Sequence, residues 1–300
     1  MIKDWFLAYS GHLNIDVVLK VNEINDNVTL PVSDVDETFG GTAGNFAMAS
    51  HRVSLPFRLY SIVSNKSHTS YIEKLRGMNI DLAGVRELNT SFGPVCYAIN
   101  DGNNQRYFLA EGPMKESRYE ILDEKYDILH LGTGNPDLNV DLIENCKYGQ
   151  LSFDPSQEVF YKYSKNDLNY FLEKCNFIFG NRREISFIFN KSGMDLESYA
   201  GQRHKVIMTD GENGSFLYGK NTVRIHSSGK LSQNVNTLGA GDSFRAGFYK
   251  GLTLGMNIER SMALGNMVSF NVVSKGLWGE WQSNDDLINE ANKLNIEPIA

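Results

Sequence analysis

The chain has 300 residues, 41% of them hydrophobic, which suits one large α/β domain with an insertion or two compact domains. Its 29 Lys and Arg against 36 Asp and Glu leave a formal charge of −7, with the acidic residues scattered. That balance argues against a dedicated nucleic-acid or anionic-membrane surface, but not against small anions, which backbone amides bind without net positive charge.

In chain order, residues 5–10 read as a buried strand, 43–53 as a helix, 59–63 as a strand and 69–78 as a helix. Strands follow at 127–131 and 151–153, a helix at 165–175, strands at 177–179 and 206–209, and a helix at 242–254. The strands are short apolar runs rich in β-branched or aromatic residues, several ending in Gly or Asp. In the last helix Phe244, Phe248 and Leu252 recur every four residues on one face. Such alternation predicts a mostly parallel sheet covered by helices on both faces.

Two segments break the rhythm. Residues 17–39 are polar and carry no helical pattern. Residues 91–110 read as two strands, 95–99 and 106–109, joined by the turn Asn100-Asp101-Gly102-Asn103-Asn104. Together they predict a small antiparallel sheet inserted into one domain that spans residues 1–300. Ligands of open α/β sheets bind beyond the carboxyl ends of the strands, so a sheet there would act as a lid.

Cys96, Cys146 and Cys175 are odd in number and far apart, with no CxxC pair, so neither a zinc site nor a disulfide framework is indicated. The first ten residues hold too short an apolar run for a signal peptide, and no run of roughly 18 apolar residues occurs. A soluble, reduced, cytoplasmic protein is expected.

The sharpest local signal is Asn236-Thr237-Leu238-Gly239-Ala240-Gly241-Asp242-Ser243-Phe244, small residues leading into an amphipathic helix. Amides of residues 239–242 at a helix N-terminus favour an anion. Asp242 there could take a proton from a substrate hydroxyl while the amides hold the charge on a phosphoryl group. The same string also fits a plain helix start with Asp242 as N-cap. A second glycine-rich turn, Gly40-Gly41-Thr42-Ala43-Gly44-Asn45, falls between the lid segment and the core. It suits a hinge, with Asn45 offering its amide to a substrate hydroxyl, or simply a loop and a helix start.

Taken in this order, the two motifs resemble the paired signatures of the PfkB (ribokinase-like) family of small-molecule kinases, and the resemblance runs along essentially the whole chain. It extends to Asn181-x-x-Glu184 and to Thr209-x-Gly211-x-x-Gly214. The resemblance implies a three-layer α/β/α sandwich with a β lid, ATP as phosphate donor and Mg²⁺ as cofactor. It implies Asp242 as the base and Gly239, Ala240 and Gly241 as the anion hole. Asn181, Thr209, Gly211 and Gly214 are then on the nucleotide side, and Glu184 near Mg²⁺ through water. These roles are chemically coherent, because phosphoryl transfer needs positioning, charge neutralisation and one group for the hydroxyl proton. Asn236 stands where the family has Asp, which weakens the case for an activating monovalent cation.

Three other patterns carry less. Residues 214–221 spell most of a P-loop, but Asn221 replaces the Ser or Thr that would hold Mg²⁺, and no helix follows. Gly132-Thr133-Gly134 lacks the third glycine of a dinucleotide fingerprint and reads as a strand-end loop at the rim of the site. The six histidines show no metal-binding spacing.

For the substrate, Asn14 and Asp16, placed at the end of the first strand, are where the family holds ribose hydroxyls. The lid's Asp34, Asp36 and Glu37 face few cations, chiefly Lys20 and Arg106, which disfavours a sugar phosphate or acid sugar. Residues 127–136, the stretch Ser152 to Gln157 and Arg245 resemble the archaeal broad-specificity nucleoside kinases. Gly40, Gly41, Asn45, Arg106 and Gln157 complete the expected substrate site. Phe39, Phe92, Tyr107 and Phe108 are available to stack a base. Nucleoside 5′-phosphorylation is expected, with a free-sugar kinase as the alternative and a non-catalytic sensor or a dehydrogenase as more distant ones. The exposed edges of a flat lid predict a homodimer.

Overall fold

The computed structural model describes residues 3–25, 28–201, 203–229, 237–277 and 279–299. The chain opens with β1 (Lys3–Ser10), β2 (Asn14–Val21), β3 (Val32–Gly40), α1 (Thr42–Arg52), β4 (Arg58–Ser64), α2 (Thr69–Gly77) and β5 (Val85–Leu88). Then come β6 (Val95–Asn100), β7 (Gln105–Ala110), β8 (Glu124–Leu131), α3 (Pro136–Asn145), β9 (Lys147–Phe153), α4 (Lys165–Lys174) and β10 (Phe177–Asn181). The remainder is α5 (Arg182–Ser192), α6 (Leu196–Ala200), β11 (Lys205–Thr209), β12 (Ser215–Tyr218), β13 (Thr222–Ile225), α7 (Ala240–Thr253), α8 (Ile258–Lys275), α9 (Asn284–Lys293) and β14 (Ile296–Ile299).

The main sheet runs β14-β13-β12-β11-β10-β9-β8-β1-β4-β5. From β5 to β11 the pairings are parallel; β12, β13 and β14 extend the sheet antiparallel. The interior strands are apolar on both faces because both are covered. In β1, Leu7 and Tyr9 join the cluster under α1, α7 and α8, while Ala8 joins the cluster under α3, α4 and α5. These two cores make the three layers.

The second sheet, β3-β2-β6-β7, matches the expected lid segments, with β2 starting at Asn14, slightly earlier than expected. It is mixed rather than antiparallel throughout: β2 pairs with β3 and β6 with β7 antiparallel, but β2 and β6 are parallel. The cause is connectivity. β2 follows β1 and β6 follows β5, and both leave the same carboxyl edge of the parallel sheet, so both point the same way.

Close packing of α7 on α8 fixes the helix that carries the expected base. A Cβ at Gly247 would lie 2.7 Å from the Leu264 carbonyl, and one at Gly265 would lie 2.8 Å from the Phe244 carbonyl. Glycine at both positions lets the backbones approach closely.

Candidate active site

Two glycine-rich turns meet beyond the carboxyl ends of the central strands. Gly239, at φ +77°, is the N-cap of α7 and uses the left-handed region open to glycine. The helix begins at Ala240, so Asp242 sits inside the first turn and is not the cap. Gly41, at φ +80°, starts α1, and any Cβ there would overlap the His12 carbonyl. From the first turn of α1, Asn45 Nδ2 donates to Asp242 Oδ2 at 2.9 Å, joining motifs 197 residues apart. Tyr71 Oη anchors the hinge by donating to the Gly40 carbonyl at 2.7 Å.

Asp242 is 7% exposed. Burial pushes its carboxyl up to about 6, against the pull of Arg245 and of the Asn45 hydrogen bond. The group therefore stays largely ionised at neutral pH and is basic enough to accept a proton. On α7 itself, the Ala240 amide is turned to the Thr237 carbonyl at 3.1 Å.

On the lid side Asp16 lies on β2, not at the end of β1 as expected, because the chain turns at Gly11–Leu13 before the polar pair. Burial, reinforced by the Asp242 charge, pushes the Asp16 carboxyl up to about 7. A Cβ at Gly40 would overlap this carboxylate as it stands, so a larger residue there would push the Asp16 side chain aside. Asn14, in register with Gly40, has a buried Oδ1 without a hydrogen-bond partner among the described residues.

Of the nucleotide-side residues expected from the sequence, Thr209, Gly211, Gly214 and Gly241 line one cleft on the other side of α7, whereas Asn181 and Gly239 do not. A cleft of about 160 Å³ is lined by Thr209, Gly211, Gly214, Ala240 and Gly241, with Phe244, Ser227, Ser228, Gly229, Asn266, Phe270 and Val273. The α8 and 227–229 portions of this wall carry no sequence motif. Residues 214–221 form β12 and its turn, which disposes of the P-loop reading. Asn181 and Glu184 form a reciprocal capping box on α5: Asn181 Oδ1 accepts from the Glu184 amide at 2.9 Å, and Glu184 Oε2 from the Asn181 amide at 2.7 Å. Glu184 is 6% exposed. Asn236 lies outside the described residues.

Two expected substrate residues are not brought to the site. In the lid register Asp16 pairs with Cys96 and Cys96 with Leu109, which puts Tyr107 on the same face as Asp16. Arg106 and Phe108 have the opposite parity and point to the outer face, because side chains alternate along a strand. Gln157 is exposed on the 3₁₀ turn Ser156–Phe160, while the adjacent Glu158 turns inward. Of the expected base-stacking aromatics, Phe39 is committed to a stack on Tyr71, with centroids 4.5 Å apart. Phe92 is exposed in the loop before β6, and Tyr107 is the lid aromatic that shares the Asp16 face.

Several groups at the site have no motif. Thr133 Oγ1 contacts Thr42 Oγ1 at 2.6 Å and accepts from the His12 amide at 3.2 Å, tying the Gly132–Gly134 loop beneath the hinge. Glu158, 3% exposed, accepts from the Gly134 amide at 2.7 Å and pairs with Lys162 at 2.6 Å. Arg245, 6% exposed, bridges Asp242 and Asp154 and donates from Nε to Tyr9 Oη at 3.0 Å.

An aspartate in the first turn of a glycine-started helix, between a cleft and a small second sheet, suits phosphoryl transfer to a small molecule. The profile of the pfkB family carbohydrate kinases matches residues 6–280, and the chain belongs to that family. It is 37% identical over 276 residues to a nucleoside kinase of Thermoplasma acidophilum, covering 91% of each chain. With a nucleoside kinase of Methanocaldococcus jannaschii it shares 26% identity over 294 residues, covering 95% of this chain and 96% of the other. The crystal structure of a protein described as a putative ribokinase from Thermoplasma acidophilum superposes with a TM-score of 0.86 at 33% identity, covering 97% of this chain and 98% of that one.

Proposed function

We propose that residues 1–300 form one ATP-dependent kinase unit that phosphorylates the primary 5′-hydroxyl of a nucleoside. One observation carries the reading: the first turn of α7 is a shared wall. Ala240 and Gly241 line the nucleotide cleft on one side, while Asp242 on the other side is near enough to the lid for its charge to raise Asp16. A ribose fits this arrangement, with its vicinal hydroxyls donating to Asp16 and its primary hydroxyl directed at Asp242. Asp242 then takes the hydroxyl proton as the oxygen attacks the terminal phosphorus and ADP leaves, and the amides of Gly239 and Gly241 hold the charge on the transferred group, the Ala240 amide being engaged by the Thr237 carbonyl. The relatives named nucleoside kinase support this acceptor over a free sugar.

Mg²⁺ fits the same site. Asp154, Glu184 and Asp242 are three buried carboxyls facing the single buried guanidinium of Arg245, and burial together with Asp154 pushes Glu184 up to about 7. Glu184, the residue the family resemblance places near the ion, would hold it through water. Such an ion would supply charge neutralisation at the transferred phosphate.

The test is ATP-to-ADP turnover across ribonucleosides and free sugars, with Mg²⁺ and with excess EDTA. Turnover of inosine, guanosine, cytidine or adenosine but not ribose is expected, and EDTA should abolish it. Turnover of ribose or fructose alone would overturn the acceptor and keep the phosphotransfer.

We also propose a homodimer of two copies joined through the lid. Its outer face exposes Val35, Tyr97 and Phe108 at 57%, 43% and 53%, flanked by Glu37 and Arg106. An apolar patch bearing one charge of each sign can be self-complementary across a two-fold axis. Sedimentation velocity at micromolar concentration is expected to give a dimer and Tyr97→Glu a monomer; a monomeric parent protein would refute the idea. Three free cysteines and the absence, among the described residues, of any helix able to cross a membrane fit a cytoplasmic location.

A further inference from the structure

Arg245, singled out in the sequence only by resemblance, is a buried charge with no role in the proposed reaction. It lies one helical turn after Asp242 and is buried, and each edge of its guanidinium is engaged. Nη2 donates to Asp242 Oδ1, Nη1 to Asp154 Oδ2 and Nε to Tyr9 Oη. With both terminal nitrogens held by carboxylates, and with no place in the lining of the nucleotide cleft, Arg245 is not arranged as a phosphate ligand.

The partners are themselves fixed. Tyr9 stacks on Phe46 at 3.7 Å and on His130 at 4.4 Å. The Asp154 amide donates to the Leu131 carbonyl at 2.9 Å, and its Oδ1 accepts from the Ser156 amide at 2.9 Å. The guanidinium is thus tied to β1 and to the end of β9 before it reaches Asp242. A buried ionic cluster of this kind is seldom the most stable filling for its volume, since well-packed apolar side chains often do as well or better. Its presence beside a buried carboxylate calls for a role in that carboxylate's state.

We propose that the Asp154–Arg245 pair is a positioning device that keeps Asp242 ionised and correctly oriented despite its burial, with Asp154 moderating how much of the Arg245 charge Asp242 feels. The proposal rests on the reading of Asp242 as the base. The two members act on Asp242 with opposite sign. Arg245 favours its charged form, and Asp154 both repels that form and competes for the guanidinium. The other groups facing Asp242 are Asp16 from β2, Tyr9 from β1, Tyr71 from α2, Glu184 from α5 and the uncharged Asn45 from α1. Substitution at 154 or 245 leaves all of these side chains in place, although Tyr9 loses a donor when Arg245 is removed and Glu184 feels both changes.

The test needs no knowledge of the substrate. In protein labelled with ¹³C at the Asp carboxyls, the Asp242 resonance is assigned by its loss in Asp242→Asn and followed against pH. Arg245→Met is expected to move its midpoint up by about one to three pH units, and Asp154→Asn to move it down by about one. Arg245→Lys should move it up by less, and it carries the upward arm if Arg245→Met does not fold. In turnover assays the acid limb of kcat should follow the same signs, with KM for ATP and nucleoside unchanged. Midpoints that stay put, or that move the same way in both variants, would reduce the pair to a structural pin and overturn the proposal. Failure of the base assignment reads differently: Asp242→Asn would then retain turnover wherever the midpoints lie.

Discussion

Replacing Asp242 by Asn is expected to lower kcat by about 10²–10⁴-fold while leaving binding of ATP and nucleoside nearly intact. The substitution is isosteric. The amide oxygen can keep the Arg245 guanidinium, and its NH2 can donate to Asn45 once that amide turns to present its own oxygen, so the joint between α1 and α7 should survive. What it loses is the ability to accept a proton with the pKa of about 6 that burial gives the carboxyl. Steady-state kinetics with equilibrium binding of each substrate would separate the two effects. A variant that turns over at the parent rate would remove Asp242 from the chemistry, and a parent protein that binds nucleoside without turnover would favour a sensor on the same fold.

The parts of this site that could be read from the sequence are those made by local chemistry. Gly239-Ala240-Gly241-Asp242 and Gly40-Gly41 are backbone requirements written into consecutive residues, and the structure joins the helices they start through Asn45 and Asp242. Strands such as β1, β8 and β10 announce themselves as short apolar runs between polar breaks. The helix α8 does not: it is buried over Ser261–Val268 without interruption, so it lacks the one-sided apolar stripe that marks a surface helix. Its Asn266, Phe270 and Val273 nonetheless build a wall of the cleft beside α7.

The misplaced residues fail for a reason of parity. Residues 105–110, Gln-Arg-Tyr-Phe-Leu-Ala, show no alternation of polar and apolar character, so nothing local says which face each side chain takes. A shift of one residue exchanges the faces, and the choice is made only by pairing with β6 and, through it, β2. Arg106 is lost from the site, and Tyr107 kept, by that pairing alone. The Tyr9–Arg245 and Asp154–Arg245 contacts span 236 and 91 residues, so no spacing rule could have joined them. The fold's layers, the glycine turns and the Asp242 position are local statements; the setting of Asp242 is a tertiary one.

Asp16 should discriminate among substrates as sharply as Asp242 governs rate. A 2′,3′-dideoxynucleoside is expected to lose up to about 10⁴-fold in kcat/KM, because a buried carboxylate built to accept two hydroxyls is left unpaired when they are missing. Asp16→Asn should raise KM for the parent nucleoside and erase most of that discrimination. The pH dependence follows from the carboxyl being pushed up to about 7 by burial and by Asp242. Below about pH 7 the free protein carries Asp16 protonated, so KM should rise as pH falls through that value. Two hydroxyl donors favour the ionised form, so binding should lower the pKa and release a proton near pH 6.5. Calorimetry in two buffers of different ionisation enthalpy reads that proton directly, and Asp16→Asn should abolish its release. Binding without proton release, together with undiminished turnover of the dideoxynucleoside, would show that the hydroxyls are held elsewhere than on β2.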